Sequence, residues 1–509
     1  MKSNYLSDLR TRRSFIRQAA CAAVGTVAMS NCLRDLRLIN SAVAQGSFSD
    51  YKALVCVFLN GGNDANNMFI PTIPSEWNSY STIRTPVLAI PNTDGTGATA
   101  LPLKFNNTTY QDVDGHTYGF HPAMPELVSL FNTGQVAGLL NVGSLCYPIT
   151  KAQYNSHSVP VPPQLFSHSD QQVQWQTSIP DQPPSTGWGG RIADLYTSSG
   201  VNPSGSNIVS MAITLAGSNT FQVGTNATDA QFSVTTGGAV TLSSGPSATM
   251  KTILGGTNGL QNEAALPNLQ TAAYAQTLYD AVDIANTLST DLSTQATANP
   301  AWLSGYHSNT ITVPNAGGSF SSGLMAQLKM VARLIDISKN TMGMKRQIFF
   351  VQVGGYDNHT LQTKNAGSTT TNNANVIIGA HANLLAELSQ SLNAFYTAMV
   401  GQGLQNNVTA FTVSDFARTF PSNGSGSDHG WGSHHLVVGG AVNGGKTYGH
   451  LPALTVGGPN DTSTGRWIPT TSVDQYAATL ASWFGVTSSN LSTIFPNVNR
   501  FASSNLGFI

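Results

Sequence analysis

The sequence predicts an α/β protein built on a doubly wound, mostly parallel β-sheet, and three features predict it. Four short apolar runs, at residues 53–59, 136–142, 347–353 and 408–413, are continuous rather than alternating, the pattern of strands covered on both faces. Each run ends in a polar turn, with glycines at Gly61, Gly143 and Gly354 in the first three. Helical stretches at 124–132, 324–339 and 380–399 precede the second, third and fourth runs. In the second of these stretches Leu324, Leu328, Val331, Leu334 and Ile335 recur at helical spacing, which gives one apolar face. Strands that alternate with helices of this length make a sheet with helices on both sides.

The span 201–259 breaks the pattern. It is rich in Ser, Thr and Gly, with short alternating runs such as Phe232-Ser233-Val234-Thr235, and reads as a β-rich insertion. A helix or helix pair at 266–295 and a flexible connection at 308–322 follow. Residues 45–509 are therefore expected to form one large α/β domain with an inserted region over about 200–322.

Composition excludes several classes. Only 9% of the 509 residues are charged, against roughly 25% in an ordinary soluble domain, and 49 glycines with many Ser, Thr, Asn and Gln leave a neutral polar surface. A net charge of −1 with no basic run in the body gives no footprint for nucleic acid. The only glutamates are Glu76, Glu126, Glu263 and Glu387, so no HExxH zinc-protease helix exists.

The first segment reads as an address. Arg12-Arg13 stands ahead of a short apolar run from Ala19 to Met29, and Ala42-Val43-Ala44 follows. That is a twin-arginine signal over 1–44 with an A-x-A cleavage site, and its apolar run falls well short of the ~20 residues that span a bilayer. The expected partner is the twin-arginine export machinery and the expected location periplasmic or extracellular, with no transmembrane segment in the mature chain. Cleavage takes away seven of 23 basic and two of 24 acidic residues and leaves 16 against 22, a net charge of −6. Cys56 and Cys146 survive, either as one disulfide or as two buried thiols.

Ligands of open parallel sheets bind beyond the carboxyl ends of the strands. Those ends carry Asp64 after the first run, Asp357 and His359 after the third, and Asp415 and Arg418 after the fourth, followed by the Gly-rich segment with Asp428, His429, His434 and His435. Carboxylates and neutral imidazoles suit Zn²⁺, Mn²⁺ or Fe²⁺, and an all-oxygen set would favour Mg²⁺ or Ca²⁺. One or two divalent ions are expected, held by Asp64, Asp357, His359, Asp415, Asp428, His429 and His434. Ser167 lies in a polar turn leading into a helix, and Arg418 and Arg191 offer positive charge to an anionic substrate. No GxSxG elbow occurs, which argues against the common serine hydrolase.

The segments GGND, SHSDQQVQWQ, GWGGR, GGYDNHTLQ, SDFART, DHGWGSHH with VVGGAVNGGKTYG, and GRWIPTTSVDQYAATLASWFG resemble the DUF1501 family over most of the mature chain. By similarity that family is placed in the alkaline phosphatase-like superfamily, whose pattern is an α/β sheet with metal ions and a Ser, Thr or formylglycine nucleophile at the strand ends. The resemblance implies that Asp64 is the metal-bridging aspartate, that Asp357 and His359 serve a second ion, and that Ser167 is the nucleophile. Asp415 resembles the aspartate of an Asp-His pair, but Phe416 stands where the imidazole belongs, with His429 to replace it and His434 or His435 as the last histidine. This departure puts the two-metal count in doubt. A formylglycine-type sulfatase is disfavoured because no Cys/Ser-x-Pro-x-Arg sequence occurs there. The expected function is an exported metal-dependent hydrolase of a phosphate or sulfate ester, on an anionic small-molecule or glycan substrate. The alternative is a secreted binding or assembly protein on the same fold without the reaction.

Overall fold

The structure is a computed structural model that describes residues 48–92, 99–183, 185–203, 208–225, 231–239, 252–254, 269–304, 306 and 308–509. The signal segment 1–44 lies outside the described residues, as does part of the span 201–259.

A ten-stranded sheet organises the chain. Its strands are β1 (Lys52–Leu59), β2 (Val136–Gly143), β3 (Ala212–Thr214), β4 (Phe232–Thr235), β5 (Gly238–Ala239), β6 (Arg346–Val353), β7 (Val408–Ser414), β8 (Ser433–Val438), β9 (Lys446–Tyr448) and β10 (Thr471–Ser472). They lie in the order β5-β4-β3-β6-β1-β7-β8-β2-β9, with β10 also paired to β2. The block β4-β3-β6-β1-β7 is parallel throughout, and β8 runs antiparallel to both β7 and β2. The four apolar runs are β1, β2, β6 and β7, each within a residue or so of its expected bounds. The main helices are α1 (Pro74–Leu88), α2 (Pro125–Asn132), α3 (His168–Thr177), α4 (Trp188–Ser198), α5 (Leu269–Ala298), α6 (Gly323–Asn340), α7 (Ala380–Gly401) and α8 (Val473–Phe484). No helix among the described residues is long and apolar enough to cross a membrane.

Two cores, one on each face, explain the unbroken apolar runs. Along β1, Ala53, Val55, Val57 and Leu59 enter the core beneath α6 and α7, whereas Leu54, Cys56 and Phe58 enter the one beneath α4 and α8. Both faces being covered, alternation has no polar side to report. Helix ends are fixed locally. Ser322 caps α6 by accepting the Met325 N–H at 2.8 Å and donates to Glu387 of α7 at 2.6 Å, which ties the two helices together. Ser472 and Gln475 form a capping box on α8, which stops at Gly485 with φ +116°.

Two regions differ from expectation. Ala212–Thr214, in the span set apart as an insertion, pairs in parallel with β6 through Ile348–Phe350 and extends the main sheet. The connection 308–322 contains an antiparallel hairpin, Thr310–Val313 with Gly318–Ser321, whose alternating burial on the first strand is short enough to be lost in a polar stretch. Cys56 and Cys146 are buried free thiols rather than a disulfide.

Candidate metal centre

Leu59 of β1 lies beside Val353 of β6 on one side and Ser414 of β7 on the other. Three parallel neighbours therefore release their chains at the same edge, and the loops after them are forced together. A side chain at Gly61 would put its Cβ 2.5 Å from the backbone nitrogen of Asp357, and one at Gly62 would strike the Phe416 ring; both glycines also have positive φ. The double glycine is what lets the first loop pass the other two.

Asp357 is the centre of the cluster, with 47% of its side chain exposed. Arg418, wholly buried, donates to Asp357 Oδ1 and to the backbone carbonyls of Gly61, Gly62, Tyr356 and Ser427. Asp357 Oδ1 is 3.1 Å from His359 Nε2 and 3.4 Å from His429 Nε2, and Asp357 Oδ2 is 3.6 Å from His168 Nε2. The Nε2 atoms of His359 and His429 are 2.9 Å apart. Burial alone would raise the Asp357 carboxyl, but the Arg418 guanidinium and the imidazoles of His359 and His168 hold it below its ordinary value.

The other nitrogen of each imidazole is taken by an oxygen. His168 Nδ1 is 2.7 Å from Asp415 Oδ2, His359 Nδ1 is 3.0 Å from Asp428 Oδ1, and His429 Nδ1 is 2.7 Å from the Phe166 carbonyl. A carboxylate or carbonyl only accepts, so each Nδ1 is the donor, and each ring presents its Nε2 toward Asp357. Asp415 is in turn fixed by the Gly61 N–H at 3.1 Å and by Gln172 Nε2 at 2.9 Å. Asn423 Nδ2 donates to Asp428 at 2.9 Å and to the His359 carbonyl at 3.0 Å. The Phe416 ring stands 4.8 Å from His168 and 4.5 Å from His429, walling one side. Burial lowers the His429 pKa, with the hydrogen bond to Phe166 opposing it.

Two imidazoles and a carboxylate, those of His168, His429 and Asp357, meet closely enough to hold an ion, and His359 Nε2 lies beside them, 3.4 Å from Arg418 Nη1. Tetrahedral ligands on bonds of about 2.0–2.1 Å stand roughly 3.4 Å apart, and the distances here run from 2.9 to 3.6 Å. Oxygens on the far nitrogens are the usual support of metal-binding histidines.

The remaining expected residues sit elsewhere or act differently. Asp64 is buried with Arg84 and Gln362 as partners, its charge stabilised by Arg84 against the cost of burial. His434 accepts the Asn141 N–H at 3.0 Å and packs on Phe69. His435 is buried against Trp175 and Tyr476. Asp415 and Asp428 hold imidazoles. Ser167, immediately before His168, donates its hydroxyl to Asp170 at 2.6 Å. Arg191 is spent on the carbonyls of Ile494, Thr186 and Thr177. A second group, Asp112, Asp114 and His116, lies in a turn where Asp112 already accepts two backbone N–H groups and the Tyr118 hydroxyl.

His168, Gln172 and Asn423 are not singled out by the sequence. His168 reaches the cluster through the Asp415 carboxylate, 247 residues away in the chain, a separation no local pattern reports.

No curated protein matches the chain. A family profile described as "Protein of unknown function (DUF1501)" matches residues 51–464, most of the chain and all of the cluster, and the chain therefore belongs to the DUF1501 family.

Proposed function

We propose that this chain is an exported, metal-dependent hydrolase of alkaline phosphatase-like type that acts on a phosphate or sulfate ester. The observation that supports it best is the set of three Nε2 atoms, each with its Nδ1 proton anchored on an oxygen, turned on Asp357. His168, Asp357, His359 and His429 would hold one divalent ion, and three nitrogens with one oxygen favour Zn²⁺, Mn²⁺ or Fe²⁺ over Mg²⁺ or Ca²⁺. When bound, such an ion polarises an ester oxygen and makes a nucleophile available at neutral pH.

The chain's own groups do the rest. Asp415, Asp428 and the Phe166 carbonyl keep the protons on Nδ1, so that the three Nε2 atoms stay basic. Arg418 keeps Asp357 ionised and fixed in orientation, and Phe416 shields the His168 and His429 rings from water. Ser167 is the nucleophile in this reading, and Asp170 accepts its proton. Export rests on Arg12-Arg13 and the apolar run behind them, and puts the protein in the periplasm or outside the cell.

One feature favours the non-catalytic alternative: the Ser167 hydroxyl is engaged by the first turn of its own helix. Protein exported through its own signal should carry a stoichiometric transition metal and hydrolyse one class among phosphomonoesters, phosphodiesters and sulfate esters. Stoichiometric metal without turnover of any ester would select the non-catalytic reading. Metal-free protein whose stability is unchanged in Asp357→Ala would end the hydrolase reading and leave the non-catalytic one.

A further inference from the structure

Building on the hydrolase reading, we propose that Arg466, in the loop before β10, is the residue that receives the anionic group of the ester. Of the seven arginines among the described residues, six give a terminal nitrogen to a carboxylate or carbonyl. Arg84 pairs with Asp64, Arg346 with Asp50, Arg418 with Asp357 and Arg500 with Asp181, while Arg191 and Arg333 bind backbone carbonyls. Arg466 alone uses only its Nε, which donates to the His429 carbonyl at 2.9 Å. Its guanidinium lies 4.4 Å over the Phe166 ring.

These two contacts locate the group. His429 supplies one of the imidazoles around Asp357, and Phe166 both orients that imidazole through its carbonyl and precedes Ser167 and His168. Arg466 is thus clamped between the two arms of the cluster, partly exposed, with both terminal nitrogens free of protein partners among the described residues. A guanidinium held over an aromatic ring with its Nε anchored has lost much of its rotamer freedom and keeps its terminal donors, the fork that binds two oxygens of a phosphate or sulfate. With a divalent ion bound, Arg418 and the ion only balance Asp357, Asp415 and Asp428, so a further positive charge favours an anionic ester here, and Arg418 has no donor left to give.

The test uses the full chain and inorganic phosphate and sulfate as probes, followed by titration calorimetry alongside metal analysis. R466Q should weaken phosphate binding about tenfold to a hundredfold without changing metal content, and R466K, which keeps the charge but not the fork, should recover part of it. Equal binding by wild type and R466Q, or no binding of either anion by wild type, would overturn the proposal. Metal-free wild type that still loses phosphate affinity on R466Q would sustain Arg466 and remove the metal from the hydrolase reading. Should R466Q fail to fold, phosphate should slow phenylglyoxal modification of Arg466 in the native chain, and absence of protection would overturn the inference.

Discussion

Asp64 and Asp357 follow neighbouring strands of one sheet, each three residues past the first glycine of a Gly-Gly pair, yet they are used in opposite ways. Asp64 is wholly buried and neutralised by an equally buried arginine. Asp357 is half open, and besides Arg418 it faces three imidazoles whose charge can come and go. A permanent cation within the chain closes a site; titratable nitrogens leave one that an outside cation can complete. A carboxylate at a strand end is therefore no guide to function until its counter-charge is known.

The comparison breaks most visibly through Arg84→Ala. It leaves the Asp64 carboxylate buried without its cation and should cost about 3–5 kcal/mol in urea unfolding, with metal content per folded molecule unchanged. Asp357→Asn should do the reverse. Measured on metal-free protein, its stability should change by about 1 kcal/mol or less, since the group is half solvated, while bound metal, the stability that the metal adds and ester hydrolysis disappear. If Asp64→Asn instead removes the metal and Asp357→Asn does not, the two aspartates have been given each other's roles.

Smaller effects come from the groups that hold the imidazoles. Asp415→Asn and Asp428→Asn should each weaken metal affinity about 10- to 100-fold, measured by competition with a chelator, because each fixes a tautomer. Metal affinity should also fall at acid pH, since protons compete for the Nε2 atoms; burial, which lowers the His429 pKa, moves that loss for His429 to lower pH than for an ordinary imidazole.

A separate effect lies away from both aspartates. Burial raises Asp474, at the start of α8, to about 7, against weaker opposition from Ser472, Ser178 and Arg191. The folded chain then keeps a proton that the unfolded chain releases near pH 4. The contribution of Asp474 is full below about pH 4 and declines as the pH climbs to about 7. Asp474→Asn should flatten the stability profile across that window; an unchanged slope would show that Asp474 ionises normally.

The sheet was legible because β1, β2, β6 and β7 bury both faces, and continuous apolar runs of that length have few other uses. Short strands such as Ala212–Thr214 carry too few residues to show a pattern, and this one took its place through pairing with β6 and β4. In the cluster, Asp357, His359 and His429 were readable as residues near strand ends. His168 was not, because what recruits it is the side chain of Asp415 across the fold. The partner of Asp64 was equally hidden: Arg84 lies inside α1, where the sequence shows only an isolated arginine.

The most direct test of the central claim is the metal content of the full chain, exported through its own signal, beside a His168→Ala variant. The account predicts a stoichiometric transition metal in the wild type and its loss in the variant, whose fold is retained. A wild type free of metal, or a variant that keeps its metal in full, would contradict it.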